Sequence, residues 1–412
     1  MKKKPVNGMK DIMPDEMAVR DYVIGLIKST YASFGFSGME TPVMESLENL
    51  QSKQGGDNEK LIFKVLKRGE KLQIDKAQTD NDLADAGLRY DLTVPLSRYY
   101  ANHMAELPAP FKALQIGSVF RADRPQRGRY RQFTQCDIDI LGEDTYLAEI
   151  ELILATTTVI SKLDFHNFTI RINDRRILKA MAASCDFPES DFDKVFIILD
   201  KMDKIGIDGV RGELLECGYS TEQVDQYLRM FEADSTDSSR LLALKEELGK
   251  NLADSSAEEL KKIIDTVDAV KEGDFRIVFD PTLVRGMSYY TGPIFEIAMD
   301  EFGGSVGGGG RYDHMVERFA GTPVSACGFS IGFERIILLL MERGFKVPDA
   351  AEKTAVLVDK KTDAAKLAEV FKAAAEARKE GRTVTVSSMK KNKRFQKEQL
   401  ASQGFDKIED VF

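Results

Sequence analysis

Histidine is scarce in this chain of 412 residues: it has three, beside 58 lysines and arginines and 67 aspartates and glutamates. So few imidazoles disfavour a hydrolase driven by histidine, and no serine, cysteine or histidine stands in a convincing nucleophile setting. The four cysteines, Cys136, Cys185, Cys217 and Cys327, lie far apart without a C-x-x-C pair. That spacing argues against a disulfide framework and against a structural zinc site. No G-x-G-x-x-G follows an early strand and no G-K-[ST] occurs, so the familiar phosphate cradles are missing. Long apolar runs are missing too. The greasiest, Ile336–Met341, is much too short to span a bilayer. The N-terminal MKKKPVNGMKDIMPDE contains no apolar signal core. A cytoplasmic protein without a membrane partner is the expectation by elimination. The formal charge of −9 argues against a chain coated in DNA, but leaves room for a local basic groove.

Such a groove has an obvious candidate. Arg121, Arg124, Arg127, Arg129 and Arg131 crowd into eleven residues of RADRPQRGRYRQFTQCDIDILG, between two segments that read as strands. Like charges repel, so this density calls for a polyanion. Arg121 ends a strand, a rigid platform from which a bidentate fork suits a phosphate or carboxylate. The other four occupy a loop with Pro125 and Gly128, suited to a phosphate chain or a nucleic-acid end, against the bland alternative of a solvated hairpin tip.

Length and composition predict two or three soluble domains. Hairpin-like strands and long crossing helices predict an α+β main domain rather than a doubly wound one. Its first part spans 1–168 and its second part 276–345. A hairpin is expected over 61–66 and 70–75 across KRGE. A mostly helical insertion, 169–275, separates the two parts, with helices at 174–183, 208–216, 221–230, 239–249 and 257–270. A small α/β unit, 351–412, ends the chain with two clear strands and a doubtful third.

Two more clusters carry chemistry. In LVRGMSYYTGPIFE, Arg285 precedes Tyr289 and Tyr290; a ring pair beside an arginine suits a planar polar group and an anion, although adjacent strand residues point to opposite faces and one ring then serves packing. In GGGGRYD, Gly307 to Gly310 cost backbone entropy, which suggests either close approach to a ligand or a tight chain crossing. Arg335 opens the apolar helix after GFSIG and is placed to stack on a flat base or clamp a terminal phosphate. Asp91 in RYDLT follows a strand-like segment. Phe133, Gln135, Asp137 and Asp139 share one face of the strand leaving the arginine loop. Carboxylates for an ammonium group and arginines for a carboxylate and a triphosphate form the inventory for joining an amino acid to a nucleotide.

Arg121 through Gly142 resembles the second signature of class II aminoacyl-tRNA synthetases, in the form carried by the histidyl-tRNA synthetase family. LVRGMSYYTG is similar to that family's histidine-binding peptide, GFSIGFERI to the third class signature and GFSGMETPVMES to the first. The resemblance covers about residues 8–345 with the motifs in family order. It implies a six-stranded antiparallel sheet flanked by helices, a homodimer, and ATP with Mg2+ on the triphosphate. It implies Arg121 and Arg285 on either side of the α-phosphate, with Arg129 and Arg335 binding ATP. Asp91, Thr93, Gln135 and Asp139 would meet the amino group of L-histidine, Tyr289 and Tyr290 the imidazole, and Gly307, Gly308 and Gly309 the pocket floor. Arg124 and Arg127 would approach histidine tRNA, with Lys390, Lys391, Lys393, Arg394 and Lys397 along its backbone. The tail departs from the family's five-stranded anticodon-binding unit. Two rival readings stand beside a histidine–tRNA ligase: a histidine-sensing regulatory subunit of ATP phosphoribosyltransferase, and a tRNA-binding dimer without chemistry.

Overall fold

The structure is a computed structural model that describes residues 2–51, 60–231, 238–252, 255–286, 290–348 and 351–412. Its strands run in chain order as β1 (Ser37–Gly38), β2 (Met44–Ser46), β3 (Lys64–Leu66), β4 (Ala84–Leu88), β5 (Phe111–Phe120), β6 (Gln132–Leu141) and β7 (Phe168–Asp174). They continue as β8 (Phe275–Phe279), β9 (Pro293–Met299), β10 (Gly304–Arg311), β11 (Ala326–Ile331), β12 (Lys353–Val358), β13 (Thr383–Ser388) and β14 (Lys407–Val411). The helices that matter to the first half are α1 (Pro14–Ser33), α2 (Leu47–Leu50), α3 (Thr93–His103) and α4 (Leu147–Lys162). The helical stretch holds α5 (Arg175–Ser184), α6 (Phe192–Leu199), α7 (Met202–Glu216), α8 (Thr221–Arg229), α9 (Ser239–Leu248) and α10 (Ser256–Val270). The last four are α11 (Asp313–Ala320), α12 (Phe333–Glu342), α13 (Ala364–Lys379) and α14 (Lys393–Ser402).

The chain divides into two units, residues 1–11 with 23–343, and residues 12–22 with 344–412. In the first, an eight-stranded sheet has the order β1-β5-β6-β11-β10-β9-β7-β8. Its six inner strands pair antiparallel throughout. The edge strands β1 and β8 pair parallel to their neighbours, which makes the whole sheet mixed. In β6 the polar Gln135, Asp137 and Asp139 alternate with buried Cys136, Ile138 and Ile140, so a two-residue period sorts polar from apolar side chains. Helices α4 and α12 pack on β6, with α4 also on β11 and α12 on β10. The stripe Phe333, Ile336, Ile337 and Leu340 of α12 is wholly buried. Leu96, Tyr100, Phe111, Ala113, Leu141, Tyr312 and Val316 form one core cluster that ties α3 and α11 to the ends of β5 and β6.

Several expectations need correction. Residues 70–75 do not pair with 61–66: the partner of β3 is β4, and 69–71 and 74–76 are single 3-10 turns. The stretch has no face to bury, and Ile74 is 68% exposed. The segment 168–174 is a strand of the large sheet, so the helical stretch begins at Arg175. One helix beyond the expected set, α6, buries Phe192, Val195, Phe196 and Leu199, a helical i, i+3, i+4, i+7 spacing. Pro95 lies in the first turn of α3, where its missing N–H costs little. In the second unit β14 is formed, and β12 pairs parallel with both β13 and β14. Among the described residues that gives three strands, the doubtful third included, against the five of the family's unit. Leu357 is buried, whereas Phe371 and Phe395 are about half exposed. Among the described residues no helix is long and apolar enough to cross a membrane.

Candidate active site

Register assembles the site. Gln115 of β5, Asp137 of β6, Ser330 of β11, Gly308 of β10, Glu296 of β9 and Arg171 of β7 form one cross-strand row. Partners across strands share a face, so this is a continuous polar line over six strands. Two residues along β6, a second row runs through Asp139, Gly328, Gly310 and Ile294.

The glycines in these rows make room for the molecule's own side chains. A Cβ on Gly308 would stand 2.4 Å from the Arg285 guanidinium carbon, and one on Gly310 would stand 2.7 Å from the Pro293 carbonyl and 2.9 Å from the Tyr290 ring. One on Gly328 would be 2.0 Å from an Asp139 oxygen. Gly309 faces the other way, where a Cβ would meet the Gly328 carbonyl at 1.9 Å and the Phe295 ring. The glycine run is therefore a strand kept bare on both faces.

Above the rows opens a cleft of about 250 Å³. Its wall includes Asp91, Thr93, Arg121, Arg129, Gln135, Asp139, Arg285, Tyr290, Gly307, Gly308, Gly309 and Arg335. Tyr289 lies outside the described residues. Asp137, Tyr312, Ser330 and Glu334 also line the cleft, although from sequence none of the four had a role. Alternation put Asp137 on the right face. Tyr312 and Ser330 become site residues only through pairing with distant strands.

One side of the cleft is acidic. Gln135 Nε2 donates to Asp137 Oδ2 at 3.2 Å and lies 3.4 Å from Ser330 Oγ, while Tyr312 donates its hydroxyl to Asp139 Oδ1 at 2.6 Å. Asp91 Oδ1 accepts the Val94 N–H at the start of α3. Burial raises all three carboxyls above their usual range. Asp139 is pushed up to about 7 by burial and by Asp91, despite the Tyr312 hydrogen bond. Asp137 is raised well above its usual range, by burial first and then by Asp139. The buried Asp139 Oδ2 and Gln135 Oε1 have no hydrogen-bond partner among the described residues. Such acceptors suit a cation with N–H donors.

The other side is cationic. Arg121, just past the end of β5, donates through Nε to the Tyr90 carbonyl at 2.8 Å and lies 5.2 Å over the Phe133 ring. Arg285 is bonded to Glu296, and Arg335 donates to the Ser305 carbonyl and lies 5.3 Å over the Phe302 ring. Burial lowers the Arg335 pKa, with Arg129 and Arg285 adding repulsion. An Arg335 guanidinium crowded by two others suits a multivalent anion.

The arginine loop is braced rather than loose. Gln126 and Arg129 form an isolated bridge. Arg131 donates to the Asp123 and Asn7 carbonyls, while its own backbone N–H bonds the Gly8 carbonyl. Arg127 pairs with Glu342 at 2.6 Å and lies over Phe302. Arg124 is exposed. Neither Arg124 nor Arg127 lines the cleft. In the second unit Lys393 and Lys397 both bind Asp410, at 2.9 and 2.7 Å, and Arg394 pairs with Glu398. Lys390 and Lys391 are exposed. Of the basic residues expected along tRNA, Lys393, Lys397 and Arg394 thus have acidic partners within their own unit.

Comparison with known proteins adds an independent line. A family model described as histidyl-tRNA synthetase matches residues 8–336. The histidine–tRNA ligase of Leifsonia xyli subsp. xyli is 46% identical over 362 residues, covering 86% of this chain and 83% of its own length. The probable histidine–tRNA ligase of Tropheryma whipplei strain Twist is 42% identical over 375 residues, covering 88% and 85%. The crystal structure of histidyl-tRNA synthetase from Nostoc sp. PCC 7120 matches with a TM-score of 0.80 at 27% identity, over 98% of this chain and 90% of that one. A Bacillus halodurans structure described as an ATP phosphoribosyltransferase regulatory subunit/histidyl-tRNA synthetase matches with a TM-score of 0.78 over 100% of this chain and 98% of that one. At 20% identity it speaks for the fold alone.

Proposed function

The chain belongs to the histidyl-tRNA synthetase family, and we propose that it is a histidine–tRNA ligase. A carboxylate oxygen of L-histidine attacks the α-phosphorus of ATP, the bond to the β-phosphate oxygen breaks, and pyrophosphate leaves. Histidyl-adenylate remains. A terminal ribose hydroxyl of histidine tRNA then attacks the histidyl carbonyl, and AMP leaves. The observation that carries this reading is the division of one cleft into a carboxylate side and a guanidinium side. An amino acid beside a triphosphate has the complementary charges in the same order.

Within this reading Arg121 and Arg285 flank the α-phosphate and stabilise the charge that grows there as the bond forms. Donors set in place beforehand give such stabilisation without reorganising. Arg129 and Arg335 take the rest of the triphosphate. Asp91, Thr93, Gln135 and Asp139 receive the histidine amino group, Tyr290 (with Tyr289) flanks the imidazole, and Gly307, Gly308 and Gly309 keep the wall thin. Exposed Arg124 and Arg127 face the acceptor end of tRNA, and Lys390, Lys391, Lys393, Arg394 and Lys397 its backbone, with Lys393 and Lys397 exchanging Asp410 for phosphate. Among the described residues no group of three or more histidine, cysteine or carboxylate side chains could hold a metal ion. In this reading Mg2+ comes on the triphosphate, as part of the substrate. A homodimer working in the cytoplasm completes the reading.

Pyrophosphate exchange into ATP tests it. Exchange should need both histidine and a divalent cation. Histidine binding with exchange at background would instead favour a histidine-sensing regulatory subunit.

A further inference from the structure

Arg285 stands in the connection between β8 and β9, outside any helix or strand. A long side chain on such a segment has much rotamer freedom, and something must aim it. Its Nη1 donates to Glu296 Oε2, with Ser305 Oγ at 3.5 Å. The guanidinium lies across the bare backbone of Gly308, the cross-strand neighbour of Glu296. On the other flank of Glu296, Arg171 Nη1 is 3.7 Å from Oε1. Arg171 is held in turn by Asp280 through Nε and by Asp203 of α7 at 3.1 Å. One carboxylate thus stands between two guanidiniums, an oxygen for each, and its side chain is only 16% exposed. Glu296 does not line the cleft. Its bond occupies one end of Arg285 and leaves other N–H donors of the fork for a ligand.

We infer that Glu296 is a positioning residue for the adenylation step: it aims Arg285 at the reacting phosphate, while Arg171 anchors Glu296 from behind. The inference rests on the ligase reading. A neutral amide of the same shape cannot replace this carboxylate, because either orientation points its NH2 at an arginine, donor against donor. Glu296→Asp keeps the charge but shortens the span, so it holds one arginine at a time.

The test is a double-mutant cycle on the full chain, read by histidine-dependent pyrophosphate exchange. Glu296→Gln should lower kcat about tenfold or more while KM for histidine and ATP stays within about twofold, as expected for an interaction used in the transition state. Glu296→Asp should recover part of the loss. In an Arg285→Ala background, Glu296→Gln should cost less than about twofold more, because the two act as one unit. Arg171→Gln provides a second variant should Glu296→Gln fail to fold; it too should lower kcat in the parent and add little without Arg285. Equal losses with and without Arg285, a change confined to KM, or a faster Glu296→Gln enzyme would overturn the inference and leave the ligase reading standing. Absence of exchange in the unsubstituted protein would overturn both.

Discussion

In the cleft, Asp137 and Asp139 are 4% and 3% exposed, and three neighbouring strands decide what each carboxylate touches. On α14 of the second unit, the Arg394 side chain is 91% exposed and its partner Glu398 lies one turn along the same helix. Both regions gather charge. Only the first places it by long-range register, in surroundings dry enough to move pKa values. Charges that must meet a reacting atom need a rigid support within a fraction of an ångström. Charges that attract a polyanion need mainly to be present, and their effect is screened by salt. The two regions should therefore respond differently to small changes of shape and to changes of charge.

The sharpest break in that comparison is one methyl group on either face of β10. In Gly308→Ala the new Cβ meets the movable end of Arg285, so the protein should fold while its guanidinium is displaced. Exchange should fall by on the order of a hundredfold, the size expected for an ångström of misplacement, with little change in melting temperature. In Gly309→Ala the Cβ meets the Gly328 carbonyl at 1.9 Å, and backbone cannot step aside. That variant should lose about 3 kcal/mol or more of stability. Thermal melting and exchange measured on both proteins would separate the effects. Equal behaviour would mean that β10 does not divide its faces in this way.

Alternation is local, so the face shared by Gln135, Asp137 and Asp139 was legible from ten residues of sequence. The six antiparallel strands were legible through the resemblance, and the α+β class through the mixture of hairpin-like strands and long helices. The neighbours of those strands were not. Glu296 carried no signal of its own in PIFE, and Arg171 fell within the expected helical insertion, until register set both in one row with Gly308. The glycine run was legible as a demand for space, but the occupants of that space, Arg285 and Tyr290, come from another segment. The arginine loop misled in the opposite direction. Arg131 and Arg127 looked free in sequence because Asn7, Gly8 and Glu342, which hold them, are remote in the chain.

Asp139 gives an intermediate effect, in which dryness rather than shape is under test. Its folded pKa of about 7 lies above the ordinary carboxylate value, so the folded protein holds a proton that the unfolded chain has lost. Its contribution to stability is therefore full below the unfolded pKa and fades as pH rises towards 7. An ammonium ligand favours the ionised form, so KM for histidine should fall as pH rises from 6 to 8. Asp91 and Asp137 share this titration, with Tyr312 and Arg121 nearby, and the steps belong to the group. Asp139→Asn should raise KM for histidine about tenfold, as for loss of a charged hydrogen bond, and flatten its pH dependence while KM for ATP holds. The imidazole of free histidine titrates in the same range, so the comparison must be between the two proteins. The variant's melting temperature relative to the parent should also rise from pH 5 to pH 8. An unchanged pH profile would remove Asp139 from the amino-group side.

The smallest effect belongs to the second unit, where placement should matter least. Lys390 and Lys391 are exposed, and Arg394 has only an exposed ion pair one turn away, an arrangement of about 0.5 kcal/mol at most that phosphate can readily displace. Replacing the three with alanine should leave histidine-dependent exchange unchanged, because no strand of the large sheet depends on them. Aminoacylation should show KM for tRNA raised several-fold, as expected when a few backbone phosphates go unneutralised. The slope of log affinity against log salt should become shallower by about 0.7–0.9 for each phosphate that is no longer bound. Lys393→Ala and Lys397→Ala should matter less in that assay, since each lysine first has to leave Asp410. Moving the positive charge one residue along the exposed face of α14 should be nearly silent, whereas a comparable shift in the cleft would be costly. A large penalty for such a move, or one that depends on tRNA sequence rather than salt, would show that this unit also places its charges to read bases.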